Sequence, residues 1–186
     1  MTQPEGPAAR MVAQLPLEPD TKDWTWVLSR PCPDCGFVAA EVQGGQVATL
    51  LLQAVGRFAP VAARAEVSVR PQPAVWSPLE YLCHVRDVCR LFEQRARLML
   101  AQDDPVFDNW DQDETAVVDR YAEQDPATVG RELAAAAEQL AGTFEGVGGD
   151  QWARPGRRSN GSRFTVLTLG QYALHDVYHH LHDVGA

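Results

Sequence analysis

Long apolar runs are missing from this sequence of 186 residues. No run approaches the roughly 18 apolar residues that a membrane-spanning helix needs, and the N-terminus lacks the basic start and apolar segment of a secretory signal. Basic residues are also few, since 16 lysines and arginines face 25 acidic residues, for a net charge of −9. Such a chain lacks the basic face that binds nucleic-acid phosphates. We therefore expect a cytoplasmic protein with no membrane or nucleic-acid partner.

Cysteine is scarce, and its four copies follow no regular framework, which fits a reducing compartment. Two copies form Cys32-Pro-Asp-Cys35-Gly36, a turn that aims both sulfurs at one point. A closed structural zinc site needs four ligands, however, and the sequence has no second CxxC. Cys83 and Cys89, six residues apart on a predicted helix, diverge by about 120° and cannot supply one. The segment predicts a structural turn, with metal-binding and redox roles as alternatives.

Strand-like alternation of useful length is absent, whereas four stretches repeat apolar residues every three or four positions. We predict an all-α four-helix bundle over residues 45–186, preceded by an N-terminal arm and the cysteine knuckle over residues 1–44. The predicted helices cover residues 45–67, 77–102, 125–144 and 165–184. Pro60 should end or kink the first helix, and Trp24 and Trp26 should dock the arm, whose first 20 residues are rich in proline.

Sequence signals at the helix starts support these boundaries. Ser77, Pro78 and Glu80 form a capping box with proline at the first helical position, and Asp125-Pro126 repeats the cap and proline. The link over residues 103–125, with a short helix near 113–121, is long enough to cross over between the second and third helices.

Histidines concentrate in the last predicted helix, at His175, His179, His180 and His182. His175 and His179 lie one turn apart and about 40° apart in direction, whereas His180 points elsewhere. An H-x3-H helix offers two ligands to one metal ion; the alternative is a half-buried helix that happens to be rich in histidine. His182 could replace His175 as the partner of His179, but His175 and His182 are about 10.5 Å apart along the axis, too far to share an ion.

His84 is the remaining histidine, at the edge of the apolar stripe of the second predicted helix. At one end of a bundle it can meet His175 and His179. Asp87 and Asp176 are candidates to orient such ligands. Arginine guanidinium groups could recognise an anion, and the candidates are Arg86 and the loop residues Arg154, Arg157, Arg158 and Arg163. The same loop, with its Ser159-Asn160-Gly161 turn, could alternatively form a solvated loop or a two-stranded hairpin.

The pairing of WSPLEYLCHVRDV with FTVLTLGQYALHDVYHHLHDV resembles the DinB-like family of metal-binding four-helix bundles, over about residues 45–184. The resemblance implies a divalent metal, commonly zinc or nickel, bound by His84, His175 and His179. That family includes transferases and isomerases that use low-molecular-weight thiols such as mycothiol or bacillithiol, and many members with no known activity. The CPDCG segment is not part of the family pattern.

The resemblance therefore implies a metal-dependent transferase or isomerase that acts with a small-molecule thiol on an electrophile. The alternatives are a non-catalytic metal-binding module and a metal-dependent hydrolase. An open coordination position beside a pocket would favour catalysis, whereas a fourth protein ligand, such as His182 or a cysteine, would argue against it. The sequence allows a homodimer but does not predict the oligomeric state.

Overall fold

Four long helices dominate the computed structural model, which describes residues 22–186. Two shorter helices join them, so that the described chain contains α1 (Val47–Gly56), α2 (Ala59–Ala62), α3 (Pro78–Ala101), α4 (Gln112–Val118), α5 (Pro126–Glu145) and α6 (Val166–Asp183). The predicted arm over the first 20 residues lies outside the described part. No helix within residues 22–186 is long and apolar enough to cross a membrane.

The helices begin where the capping residues predict. The Ser77 Oγ accepts from the Glu80 backbone N–H while the Glu80 carboxylate accepts from the Ser77 backbone N–H, which starts α3. The Asp125 carboxylate caps α5 by accepting from the Thr128 backbone N–H, and Thr165 forms a capping box with Thr168 at the start of α6. The first predicted helix ends early, at Gly56, and Pro60 lies in the first turn of α2, where its missing N–H costs little.

The four long helices form a bundle in which α5 and α6 each pack against both α1 and α3. Residues 102–125, including α4, form the long link between α3 and α5. Close approach of α6 depends on Gly170, because a Cβ at that position would lie 3.0 Å from Val47 and 3.3 Å from the Phe144 ring. The contact between α3 and α6 sets the position of His84 relative to the histidines of α6.

A three-stranded sheet departs from the all-α prediction. It contains β1 (Val106–Phe107), β2 (Pro155–Arg158) and β3 (Arg163–Thr165); β1 pairs parallel to β2, and β2 pairs antiparallel to β3. The β2–β3 hairpin turns at Gly161, which has φ +97°, as the alternative reading of this loop predicts. Strands of two to four residues are too short to show an alternating pattern, so β1 was not predictable by periodicity.

Residues 22–44, here called the N-terminal segment, lie against α6. A 3₁₀ helix over Trp24–Leu28 and another over Ala39–Glu41 both contact α6. Val27 and Ala39 are buried in this contact, and Gln171 of α6 donates a hydrogen bond to the Val42 carbonyl at 3.0 Å. Trp24 docks on α6 through ring contacts with His175 and His179, whereas the arm that the tryptophan pair was predicted to dock lies outside the described residues.

Candidate metal centres on α6

Helix α6 carries two pairs of metal-ligating side chains, displaced by one residue. His175 and His179 form one pair, and Asp176 and His180 form the other, each with the i, i+4 spacing that puts both side chains on one face. One residue on a helix is a rotation of about 100°, so the two pairs face different neighbours. The first pair faces the N-terminal segment, and the second faces α3.

His84, Asp176 and His180 form the group between α3 and α6, with one ligand atom of each within 4.8 Å of the others. The Nε2 atoms of His84 and His180 lie 3.3 Å and 3.4 Å from the Asp176 Oδ1. The two imidazole rings meet edge to face, with centroids 4.7 Å apart. Two imidazoles and a carboxylate converge on one point, which is a donor set suited to a divalent transition metal.

His84 has no exposed surface, and within the described residues neither of its ring nitrogens makes a hydrogen bond. Its ring stacks on Trp110 at 5.3 Å and packs against Trp76 at 5.2 Å. Burial lowers the pKa of His84, against the opposing effect of the Asp176 charge, so the ring is held neutral, as a metal ligand must be. A buried polar group without a partner costs about 1–3 kcal/mol, and a bound cation would remove that cost.

Asp176 and His180, the other two residues of this group, are affected by neighbouring charged groups. Burial acts to raise the pKa of Asp176, but the imidazoles of His84 and His180 outweigh it and lower the pKa to about 2. The Asp176 Oδ1 makes no hydrogen bond of good geometry within residues 22–186. The Nδ1 of His180 lies 2.8 Å from the Asp183 Oδ2; this contact fixes the ring and leaves its Nε2 for Asp176 or an ion.

Cys32, Cys35, His175 and His179 form the second group, again with one ligand atom of each within 4.8 Å of the others. The Cys32 Sγ lies 3.6 Å from the His179 Nδ1. Gly36, with φ +74°, donates its N–H to the Cys32 carbonyl at 2.9 Å and folds the CxxC turn back on itself. Both thiols are free, and burial raises the pKa of Cys35 to about 11. A redox CxxC needs the opposite shift.

A cavity of about 340 Å³ lies beside both groups of α6 residues. Asp176, His180, His175 and His179 all reach its wall, while the fully buried His84 does not. Its other lining residues are largely aromatic or acidic, namely Lys22, Trp24, Ala74, Val75, Trp76, Tyr81, Gln112, Asp113, Tyr172 and Asp183. Among these described residues there is no arginine.

The predicted ligands His84, His175 and His179 are thus divided between the two groups. His175 and His179 lie together as expected, but their partners are the two cysteines, and His84 is grouped with Asp176 and His180. His180 was expected to point away from the site; it does leave the His175 face, but it turns towards His84. The missed signal was Asp176-x3-His180, which has the same spacing as H-x3-H.

Other sequence candidates are engaged elsewhere. Asp87 accepts from the Tyr121 hydroxyl at 2.6 Å and from Arg86 at 2.9 Å, so it does not orient His84. Arg86 also pairs with Glu132 and is almost fully buried. Arg154 donates to the Met99 carbonyl and fastens the hairpin to the end of α3.

The remaining arginines of the loop, Arg157, Arg158 and the exposed Arg163, do not line the cavity. Arg157 pairs with Asp104 at 3.0 Å, and Arg158 lies over the rings of Phe164 and Tyr172. His182 is exposed, and it belongs to neither group within the described residues.

Comparison with known proteins identifies the fold. Residues 46–184 match the DinB superfamily. The structure is similar to that of YfiT from Bacillus subtilis, described as "a probable metal-dependent hydrolase with an unusual four-helix bundle topology", with 15% sequence identity and a TM-score of 0.68 over 75% of this chain and 83% of YfiT. No curated protein matches the chain. At this identity the similarity to YfiT shows the fold alone.

Proposed function

Because this chain belongs to the DinB superfamily, we propose that it is a metal-dependent hydrolase whose divalent ion is held by His84, Asp176 and His180. One observation carries the proposal: three donors converge between α3 and α6, and the buried His84 Nε2 and Asp176 Oδ1, 3.3 Å apart, make no hydrogen bond of good geometry among the described residues. The description of YfiT as a probable metal-dependent hydrolase supports the reaction class.

The donor set supports an open site. Three protein ligands leave at least one coordination position unfilled, which is the arrangement of catalytic metal sites, whereas structural sites use four. A divalent ion bound here supplies Lewis acidity and lowers the pKa of water, the chemistry that hydrolysis of an ester or amide needs. Zinc and nickel both suit two imidazoles and a carboxylate.

The chain's own residues have distinct roles around this set. Asp183 holds His180 in one ring orientation through the His180 Nδ1, and the stacked Trp110 and the tilted Trp76 shield His84 from water. Tyr81 lines the cavity, and its pKa is raised to about 12, chiefly by burial. Its hydroxyl therefore stays protonated at neutral pH and can donate a hydrogen bond to a substrate oxygen.

The cavity lining favours a small substrate without strong negative charge. Asp113, Asp176 and Asp183 bring three carboxylates to it, Lys22 is its lysine, and the lining contains no arginine among the described residues. A thiol that carries carboxylates, such as bacillithiol, would face this negative charge. Hydrolysis of a neutral ester or amide therefore suits the site better than transfer from an anionic thiol.

The test compares wild-type protein with His84→Ala, Asp176→Asn and, as a matched control, His182→Ala. Metal content is measured by mass spectrometry, and hydrolysis of p-nitrophenyl acetate and a panel of small amides is followed before and after chelation. We expect the first two variants to lose one equivalent of metal and to fall to the rate of the chelated protein, while the exposed His182→Ala keeps both.

Three results would contradict the proposal. Full metal content in His84→Ala would show that the ligand set is wrong. Metal-dependent conjugation of monochlorobimane with mycothiol, without metal-dependent hydrolysis, would instead establish the thiol transferase predicted from the sequence. Bound metal with neither activity would leave a metal-binding module.

A further inference from the structure

We infer that Cys32, Cys35, His175 and His179 form a second, structural zinc site that fastens the N-terminal segment to α6. This inference does not depend on the proposed hydrolase activity, because it uses none of the residues His84, Asp176 and His180. The proposed zinc site also lies partly outside the family match, which begins at residue 46. The site is built half from the bundle and half from the segment that precedes it.

The spacing on each half is that of a Cys2His2 zinc site. The cysteines are separated by two residues and the histidines by three, as in C-x2-C and H-x3-H. At tetrahedral zinc, bonds of about 2.3 Å to sulfur and about 2.0 Å to nitrogen put these atoms about 3.5 Å apart. The Cys32 Sγ and the His179 Nδ1 are 3.6 Å apart. All four ligand atoms lie within 4.8 Å of one another.

Buried donor atoms give an independent indication of a ligand. His175 is 3% exposed, and within the described residues its Nε2 has no hydrogen-bond partner. Cys32 is 1% exposed. A buried imidazole nitrogen without a hydrogen-bond partner is costly, whereas a zinc ion would use the His175 Nε2 as a ligand together with the neighbouring Cys32 thiolate.

Aromatic rings flank the histidines of this site. The Trp24 ring lies 4.9 Å from the His179 ring and 5.8 Å from the His175 ring, and Phe37 lies 5.9 Å from His175. Four protein ligands fill a tetrahedral zinc, which leaves no position for a substrate. The site is therefore structural. Because this site has no open coordination position, the hydrolysis proposed above is assigned to the group of His84, Asp176 and His180, which has one.

A redox role for the two cysteines fits less well. Redox CxxC motifs lie at a helix N-terminus that stabilises a thiolate, whereas Cys32 and Cys35 lie in a turn between two 3₁₀ helices. Their sulfurs face two imidazoles of α6. Both the position of the turn and its partners indicate a metal ligand.

Cobalt substitution tests the inference, because a thiolate bound to cobalt gives a near-ultraviolet charge-transfer band that histidine and carboxylate ligands cannot give. Full-length protein would be stripped with a chelator and titrated with Co²⁺, then with Zn²⁺. We expect a thiolate band and tetrahedral visible bands that account for one of the two equivalents of cobalt bound at saturation and that disappear when zinc displaces cobalt. Absence of the thiolate band in wild-type protein would overturn the inference without any variant.

Variants then assign the ligands. We expect the double variant Cys32→Ser/Cys35→Ser to lose the thiolate band, and His179→Ala to lose the tetrahedral form of the cobalt spectrum. Each variant should also lose one equivalent of zinc. His182→Ala, one turn away on the same helix and exposed, should keep both. His84→Ala should keep the band while losing the other equivalent, so failure of the hydrolase site and failure of this site give different results. Retention of the full zinc content by the double cysteine variant would refute the assignment.

A second measurement follows the N-terminal segment itself. If zinc fastens residues 22–44 to α6, chelation should expose this segment to protease, and zinc should restore its protection. Cleavage sites would be mapped by mass spectrometry. Equal protection of the segment with and without zinc would contradict the fastening role.

Discussion

Replacement of Glu80 by glutamine should destabilise the protein by about 2–3 kcal/mol at neutral pH. The Glu80 side chain is 3% exposed, and it accepts from the Ser77 backbone N–H at 2.7 Å and the Ser77 hydroxyl at 2.9 Å. It also accepts from Arg70 Nη2 at 2.5 Å and Nε at 2.9 Å. A glutamine amide would keep one acceptor oxygen but point an N–H₂ group at donors.

The expected loss of stability follows from the partial burial of the Arg70–Glu80 ion pair. Breaking a fully buried ion pair by removing one partner costs about 3–5 kcal/mol, and a hydrogen bond to a charged group contributes about 1.5–3 kcal/mol. The Arg70 side chain is 14% exposed, so water can replace part of the hydrogen bonding that Arg70 loses in the Glu80→Gln variant. Urea unfolding of zinc-saturated protein, followed by circular dichroism, should show a midpoint about 1 M lower for an m-value of about 2 kcal/mol/M.

The pH dependence of this loss gives a second check. Burial acts to raise the pKa of Glu80, but the hydrogen bonds from Arg70 and Ser77 outweigh it and hold the pKa below its usual range. A depressed folded-state pKa contributes stability above the unfolded pKa of about 4.3, and that stability is lost as the pH falls through the folded pKa. The difference between wild type and Glu80→Gln should therefore be full at pH 7 and shrink below about pH 4.

The control is Glu123→Gln, which removes an ion pair with Arg120 whose two side chains are 69% and 74% exposed. Exposed pairs contribute little, so its effect should stay within about 0.5 kcal/mol at either pH. Equal stability of Glu80→Gln and wild type at pH 7, or a loss that does not shrink in acid, would refute the role given to the buried carboxylate.

Three further predictions concern packing and the metal sites. Gly156→Ala should destabilise by about 1–3 kcal/mol in urea unfolding, because its Cβ would lie 2.6 Å from the Met99 Cγ; unchanged stability would show that Met99 moves freely. Gly142→Ala, in α5 with no atom within 4 Å of its Cβ, should stabilise by about 0.5–1 kcal/mol in the same assay, and a loss would contradict the open space. Asp183→Asn should weaken metal binding at the His180 site about 10–100-fold in chelator competition and keep the cobalt–thiolate band, whereas unchanged affinity would show that Asp183 does not hold His180.

The sequence was sufficient to predict the four long helices and their order, because the signals at their ends are local. Ser77 with Glu80, the Asp125-Pro126 pair and Thr165 each act within about one turn of the helix that they begin. The sheet was predictable only at its hairpin, where Gly161 marks the turn. Pairing of β1 depends on residues about 50 positions away, at β2, and two-residue strands have no pattern of their own.

The site was predictable in its residue types but not in its grouping. The H-x3-H pair predicts α6 as a ligand helix and the CPDCG turn allows zinc, yet the contact between them joins Cys32 to His179, 147 positions apart in the sequence. No local spacing can indicate such a contact. Whether His84 meets His179 or His180 depends on the rotation of α6 against α3, which is decided by packing, including the close approach at Gly170.

The one-residue displacement between the two ligand pairs of α6 has an evolutionary consequence. A rotation of α6 about its axis that improved the geometry of one proposed ligand set would move the other set away from its partners. Neither proposed site can therefore adapt by backbone movement alone. Insertion or deletion of a single residue within 175–180 would break one or both sets. Diversification of the chemistry is therefore expected in the cavity wall, at positions such as Tyr81, Gln112 and Asp113, which lie on other elements and can change without disturbing this shared helix.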